Sequence, residues 1–416
     1  MLALQCVKSI PAWLLLKALG HRLPSLATSP YALLRLRDVA PPRLPNARWA
    51  RVRPVLSGVC GSDLASIAAE GSPFFAPLTS FPFTFGHEVV GIVEEVGSEM
   101  RSVKVGDRVV VEPALHCGVR GIDPPCMACQ AGQYGNCVNV TKGAISAGVQ
   151  TGYCRDTGGG WSGSLVAHEV QLHKVPDGLP DDAAVMAEPF SCALHGVLRA
   201  LSTQYSVLST QTALVLGCGT MGLLTIAALR AVEAPCRIVA LAKHPHQQEL
   251  AKQLGAHEIL PAGRGQYEAL CQRTGATMHQ PEIGRPTVLG GFDLVCDCVG
   301  SPRSLDDALR FTKARGRTVL VGMPAIPKTV DWTTIWFKEL NVMGVYAYGV
   351  EDFRGERVRT FELALRFLHQ GRVDLRPLVT HRFGLTDYKR AIQTALATGP
   401  SRSVKTVFDL TGVPTT

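Results

Sequence analysis

The sequence predicts an α/β chain whose first part is rich in short strands and whose second part is a doubly wound parallel sheet. Three observations carry that reading. From residue 33 to about 173, short apolar runs are cut by Gly and Pro, the regular turn signals of a barrel-like or sandwich-like β region. After about Pro189 the texture changes, and apolar strands alternate with helices at the spacing of a parallel sheet. Finally, 416 residues that are 46% hydrophobic and 18% charged suffice for two domains with separate cores.

In chain order, residues 1–32 show nothing that joins them to the strands beyond and read as an N-terminal extension. Residues 33–36, 50–53, 89–93 and 108–111 read as strands, the last fed by a tight turn at Gly106-Asp107. In the second part, residues 212–216 are a strand and 221–232 a helix of mostly Leu, Ile and Ala. A second strand covers 237–241, and a second helix, 246–255, ends in Gly255 as helix C-termini prefer. Strands at 292–296 and 317–321 flank a helix at 305–312. Beyond about 344 come helices at 358–369 and 388–397 and a last strand at 404–410. The expected domains are therefore 33–190, 191–344 and a return of 345–416 to the first.

Composition excludes several classes. High hydrophobicity with a net charge of only +8 excludes a largely disordered chain. No apolar run reaches membrane-spanning length, and the 41 Gly and 27 Pro follow no triplet. The 42 basic and 34 acidic residues are scattered rather than gathered into a patch, so neither nucleic acid nor membrane is an expected partner. A mild positive bias suits an anionic cofactor or substrate better. The apolar segment 10–19 is short, holds Pro11 and Lys17, and lacks a clear cleavage site, so no secretory signal is read there. With 13 Cys, this predicts a reducing, cytoplasmic setting in which Cys clusters are metal or catalytic sites.

The strand at 212–216 runs into Gly217-Cys218-Gly219-Thr220-Met221-Gly222 and then a helix, the context a dinucleotide fingerprint requires. Gly217 allows the tight turn, Gly219 lets backbone approach a pyrophosphate, and Gly222 lets the helix pack closely. The phosphates then rest on the helix N-terminus, which Thr220 and Met221 open. An acidic residue about twenty positions on would bind the ribose 2′-OH of NAD. That place holds Ala242, followed by Lys243 and His244, and no acid occurs from Arg237 until Glu249. The expected coenzyme is therefore NADP in preference to NAD.

Cys126, Cys129 and Cys137 stand in a Gly/Pro-rich loop, three thiols of a closed tetrahedral zinc site. Cys117 and Asp123 compete for fourth ligand, and thiolate softness favours Cys117. Elsewhere, Cys60 sits in the turn Gly58-Val59-Cys60-Gly61-Ser62-Asp63, His87 and Glu88 head an apolar strand, and Glu188 stands where the β region hands over to the second part. One Cys, one His and one Glu make an open zinc site with room for water or substrate.

Together these motifs resemble the zinc-containing medium-chain dehydrogenase/reductase superfamily over roughly residues 33–410. The resemblance implies a GroES-like β domain, an inserted Rossmann domain and a C-terminal return to the first. It implies catalytic zinc on Cys60, His87 and Glu188, the last a polyol-type feature, and a structural zinc on the Cys loop. Asp63 would orient the His, Ser62 would take the substrate proton, and Glu88 would approach the metal or accept a substrate or water contact. A His often found two residues after this Asp is here Ala65, which requires another proton route. The implied activity is hydride transfer between a nicotinamide and a small alcohol, polyol or sugar, or the matching carbonyl, by a homodimer or homotetramer. A zinc-free quinone reductase of the same superfamily, or a silent nucleotide-binding protein, is the alternative. The aromatic stretch 71–85 (Phe74, Phe75, Phe81, Phe83, Phe85) walls a pocket or fills core; the residues alone do not choose.

Overall fold

The computed structural model describes residues 1–201 and 211–414 and divides into two units, Met1–Glu188 with Ala347–Thr416, and Pro189–Tyr346. In the first, β1 (Leu2–Cys6) leads to α1 (Ile10–Leu19) and β2 (Leu34–Asp38), then β3 (Trp49–Gly58), α2 (Gly61–Ile67) and β4 (Phe83–Thr84). There follow β5 (Val89–Val96), β6 (Arg108–Val111), β7 (Leu165–His168) and β8 (Leu172–Lys174), and then α3 (Ala187–Leu201), which starts at the end of this unit and runs into the second. The segment expected to stand apart belongs to this unit: β1 pairs antiparallel with both β2 and β4. That corrects the reading of 1–32 as an extension. Leu4 and Cys6 enter one core with Phe83, Phe85 and Trp161.

The second unit contains β9 (Gln211–Leu216), α4 (Thr220–Ala231), β10 (Cys236–Ala242), α5 (Pro245–Gln253) and β11 (Glu258–Pro261). A hairpin, β12 (Thr277–His279) and β13 (Thr287–Leu289), precedes β14 (Phe292–Asp297), α6 (Pro302–Phe311), β15 (Thr312–Leu320) and β16 (Asn341–Gly344). Its six-stranded sheet runs β11-β10-β9-β14-β15-β16 with every pairing parallel. Leu214, Val239, Val295 and Phe311 form its core on one face. α6 starts where Ser301 accepts the Ser304 N–H and Pro302 takes the first turn, a position that needs no donor.

The chain then returns to the first unit with α7 (Thr360–His369), β17 (Val379–Gly384), α8 (Tyr388–Leu396) and β18 (Lys405–Asp409). Val358 and Arg359, expected as helix, are instead the end of a strand, and α7 begins at Thr360. β17, β18, β3, β5, β6 and β8 lie side by side in a seven-stranded sheet, with β7 also on β3. That order sets the C-terminal β18 against β3, with Val407 opposite Gly58, and the start of β5 against the other edge of β3, with Val89 opposite Ser57.

Candidate metal and coenzyme sites

Cys60 follows the end of β3, and His87 and Glu88 precede the start of β5. Backbone bonds lock these ends together: Gly58 N–H donates to Glu88 O and Val59 N–H to Thr406 O, both at 2.9 Å. One ligand atom each from Cys60, His87 and Glu88 then falls within 4.8 Å of the others. Gly58 is required here, since a Cβ would lie 1.7 Å from Glu88 Oε2.

Behind this group sits Asp63, fully buried on the first turn of α2. Its Oδ2 accepts the Cys60 N–H at 3.1 Å, which fixes the turn that carries the thiol. Its Oδ1 faces His87 Nδ1 at 3.4 Å, an ionic approach in which that ring nitrogen finds no aligned hydrogen-bond partner. Burial works against a charged imidazole, yet the Asp63 carboxylate and then the Cys60 thiol hold His87 well above the ordinary histidine range. A ring that gathers positive charge between a thiol and a carboxylate is in the surroundings a cation would occupy. Cys60, His87 and a carboxylate are ligands that suit zinc, and Asp63 stands where a carboxylate fixes a ligating His.

Two residues of this region carry no motif signal in the sequence. Lys405, at the start of β18, sets its ammonium 2.6 and 2.7 Å from the two oxygens of Glu88 and 3.3 Å from Val59 O. Glu88, expected to approach metal or substrate, thus has both oxygens engaged by a buried cation. Burial lowers the Lys405 pKa but the Glu88 charge outweighs it, and the group is held above the usual lysine value. Tyr153 packs its ring on Phe83 and sets its hydroxyl 3.2 Å from Ser66 Oγ and 3.5 Å from Asp63 Oδ1. Burial first, then the Asp63 charge, keeps that phenol protonated. Ser62, the expected proton acceptor, lies half-buried on the same turn as Asp63. Glu188 is buried, and its charge is felt by Lys405, but it is not in the close group with Cys60 and His87. The aromatic stretch divides: Phe83 and Phe85 are core, whereas Phe74 and Phe75 are exposed.

The second cluster gathers Cys117, Cys126, Cys129 and Cys137, with their sulfurs all within 4.8 Å. Asp123 is exposed and outside the group. Cys137 Sγ lies 3.6 Å from that of Cys117 and 3.9 Å from that of Cys126. A tetrahedron of Zn–S bonds of about 2.3 Å has S···S edges of about 3.8 Å, and a disulfide at about 2.05 Å is far shorter. Burial opposes charge on Cys126 too, but N–H groups of Cys129 and Val138 bring its thiol down to about 6. Burial pushes Cys137 up to about 11, and Cys129 higher. Without a cation these sulfurs cannot all ionise. Arg120, also unanticipated, is buried beneath the loop and donates to the carbonyls of Leu115, Lys142, Ile145, Ser146 and Gly148. It holds the loop and sets positive charge near Cys117 and Cys137. The residues fit zinc. Cys129→Ser is therefore expected to remove about one zinc equivalent of two per chain and lower the melting temperature while sparing the other metal. Metal analysis beside thermal melting checks it; unchanged zinc content refutes it.

In the second unit, Gly217 takes φ +87° at the end of β9, and a Cβ on Gly222 would meet Gly217 O at 1.8 Å. Nothing stands within 4 Å of a Cβ at Gly219, which leaves that side of the turn open. Thr220 and Met221 begin α4. At the end of β10, Ala242 is buried, Lys243 is exposed, and the rings of His244 and His246 stack at 5.7 Å.

Residues 46–177 match the family model of the alcohol dehydrogenase GroES-like domain, and 220–362 that of the zinc-binding dehydrogenases. The chain is 30% identical over 411 residues to L-idonate 5-dehydrogenase of Vitis vinifera, covering 97% of this chain and 95% of that enzyme. It belongs to the zinc-containing medium-chain dehydrogenase superfamily. Sorbitol dehydrogenase of Arabidopsis thaliana is 31% identical over 363 residues, 86% of this chain and 88% of that one. The crystal structure of 2R,3R-butanediol dehydrogenase from Bacillus subtilis superposes with a TM-score of 0.68 at 27% identity, covering 90% of this chain and 96% of that chain. The dehydrogenase is an oxidoreductase of CH–OH donors that uses zinc and a nicotinamide.

Proposed function

We propose that the dehydrogenase oxidises a secondary hydroxyl of a small polyol or sugar, or reduces the matching ketone, with NADP as its preferred coenzyme. The observation that carries the reading is the Cys60–His87 pair backed by Asp63, an open ligand set distinct from the closed four-sulfur cluster. Zinc bound there would supply Lewis acidity toward the substrate oxygen. Ser62 takes the hydroxyl proton, and the hydroxyls of Tyr153 and Ser66 lie along the same helix turn where Ala65 offers none. Asp63 keeps the thiol turn and the imidazole in place, so little reorganisation is needed as charge shifts. Relatives named for L-idonate, sorbitol and 2R,3R-butanediol support a polyol-like substrate. A panel of polyols, sugars and simple alcohols, read by coenzyme absorbance beside metal analysis, tests the proposal; simple primary alcohols as much the best substrates would sink it.

Glu188 completes the catalytic ligand set in this reading. Glu188→Gln keeps the shape and removes the charge, so turnover or catalytic zinc should fall about tenfold or more, with coenzyme affinity retained. Full activity with full zinc would transfer the third place to another group.

The coenzyme preference rests on charge. Lys243 is exposed where a carboxylate would repel a 2′-phosphate, and Ala242 leaves the ribose hydroxyl without an acidic partner. Lys243→Ala should reduce kcat/KM for NADP about five- to tenfold and leave NAD nearly unchanged. A native preference for NAD would refute the assignment. A cytoplasmic setting is part of the proposal and is supported by cysteines that form no disulfide among the described residues. So is association of like chains through the open edge of β16, beside which Trp332, Trp336 and Phe337 are exposed.

A further inference from the structure

α1 is apolar nearly all round. Among its ten residues the only charge is Lys17. A helix of that kind is ordinarily buried on every side or set against lipid. Here only Ala12 and Leu16 are buried, in the core that holds Leu4 and Phe83. Ile10 and Leu14, one turn apart and so on one face, are 67% and 56% exposed. Leu19, Leu23 and Tyr31 point outward as well.

Charge in this stretch of chain has one sign. From residue 1 to 37 there is no Asp or Glu, while Lys8, Lys17, Arg22, Arg35 and Arg37 fall in the same stretch. Lys8, Lys17, Arg22 and Arg37 are exposed, with Arg35 half-buried. Lys17 is three residues from Leu14 and seven from Ile10, hence on their face. Its ammonium lies 6.0 Å from the ring centre of Trp13.

We propose that α1 and the turn after it form a peripheral contact with an anionic membrane surface. The helix is about 15 Å long, half the hydrocarbon thickness of about 30 Å, so it lies in the interface with Ile10 and Leu14 inserted, while Trp13 packs against the protein core. Lys8, Lys17 and Arg22 meet the lipid charge. A second copy of the chain suits the face less well, because a two-fold contact brings the same cations against themselves. Among the described residues no helix is long and apolar enough to cross a membrane, and a surface contact requires none.

The test is flotation of the full-length zinc-loaded enzyme with phosphatidylcholine vesicles and with vesicles in which roughly a third of the lipid is phosphatidylglycerol. Binding is expected to the anionic vesicles alone and to weaken at high salt. Ile10→Glu/Leu14→Glu should weaken it at least about tenfold and Lys17→Glu/Arg22→Glu about fivefold, both with unaltered turnover because the side chains are exposed. Three outcomes overturn the proposal: no binding by the unmodified enzyme, binding that both variants retain, or an oligomer that Ile10→Glu/Leu14→Glu makes smaller, which would assign the face to a second copy.

Discussion

Cys60→Ser is expected to leave a folded enzyme that binds its coenzyme but turns over at least about 100-fold more slowly. Losing an outer partner of a zinc ligand costs about 10–100-fold in affinity or activity, so removing the ligand itself should exceed that range. The fold should survive because the Cys60 N–H still donates to Asp63 Oδ2 at 3.1 Å, because a serine hydroxyl can accept the Asp63 N–H as the sulfur does, and because the neighbouring Val59 N–H remains tied to Thr406 O. Zinc should fall by about one equivalent while the four-sulfur cluster keeps its own. The coenzyme turn at Gly217–Gly222 lies in the other unit and should be unaffected. Retention of most activity would remove Cys60 from the catalytic centre.

What could be read from the sequence is what is encoded locally. The turn at Gly217 and the close approach at Gly222 depend on a strand, a turn and a helix contiguous in the chain. The four cysteines lie within one loop, where thiolate softness was enough to prefer Cys117 over Asp123. His87 and Asp63 were placed by short motifs that the ends of β3 and β5 bring together. What escaped depends on distant partners. Lys405 lies 317 positions from Glu88, and no local pattern reports that pairing; the only signal was a lysine inside an apolar strand. Tyr153 comes from a Gly-rich loop without periodicity, and its role appears only once its ring packs on Phe83. β1 is five residues long and is separated from β2 by α1, so its place in the sheet has no sequence signature. The aromatic stretch defeated a single reading because its members serve different ends.

Lys405→Met is expected to be the most damaging substitution for stability, at about 3–5 kcal/mol. Methionine matches the lysine stem in length and keeps its packing but deletes the ammonium. Glu88 would then be left with its two oxygens unpaired in a site where both residues are buried, and an uncompensated buried charge is far costlier than the pair is beneficial. Gly58 closes one side of that carboxylate, since even a Cβ would lie 1.7 Å from Oε2, so the group has little room to turn away. Lys405→Met/Glu88→Gln should recover much of the loss, because it removes the stranded charge along with its partner. Turnover separates a second consequence. A Glu88 stripped of Lys405 leaves an uncompensated negative charge beside Cys60 and His87, with which it already shares a 4.8 Å neighbourhood, so the single variant should also be slower at temperatures where it remains folded. Urea midpoints of the zinc-loaded enzyme at constant m-value measure the stability change. A loss below about 1 kcal/mol would show that the pair is no buried clamp and contributes only as an exposed ion pair would.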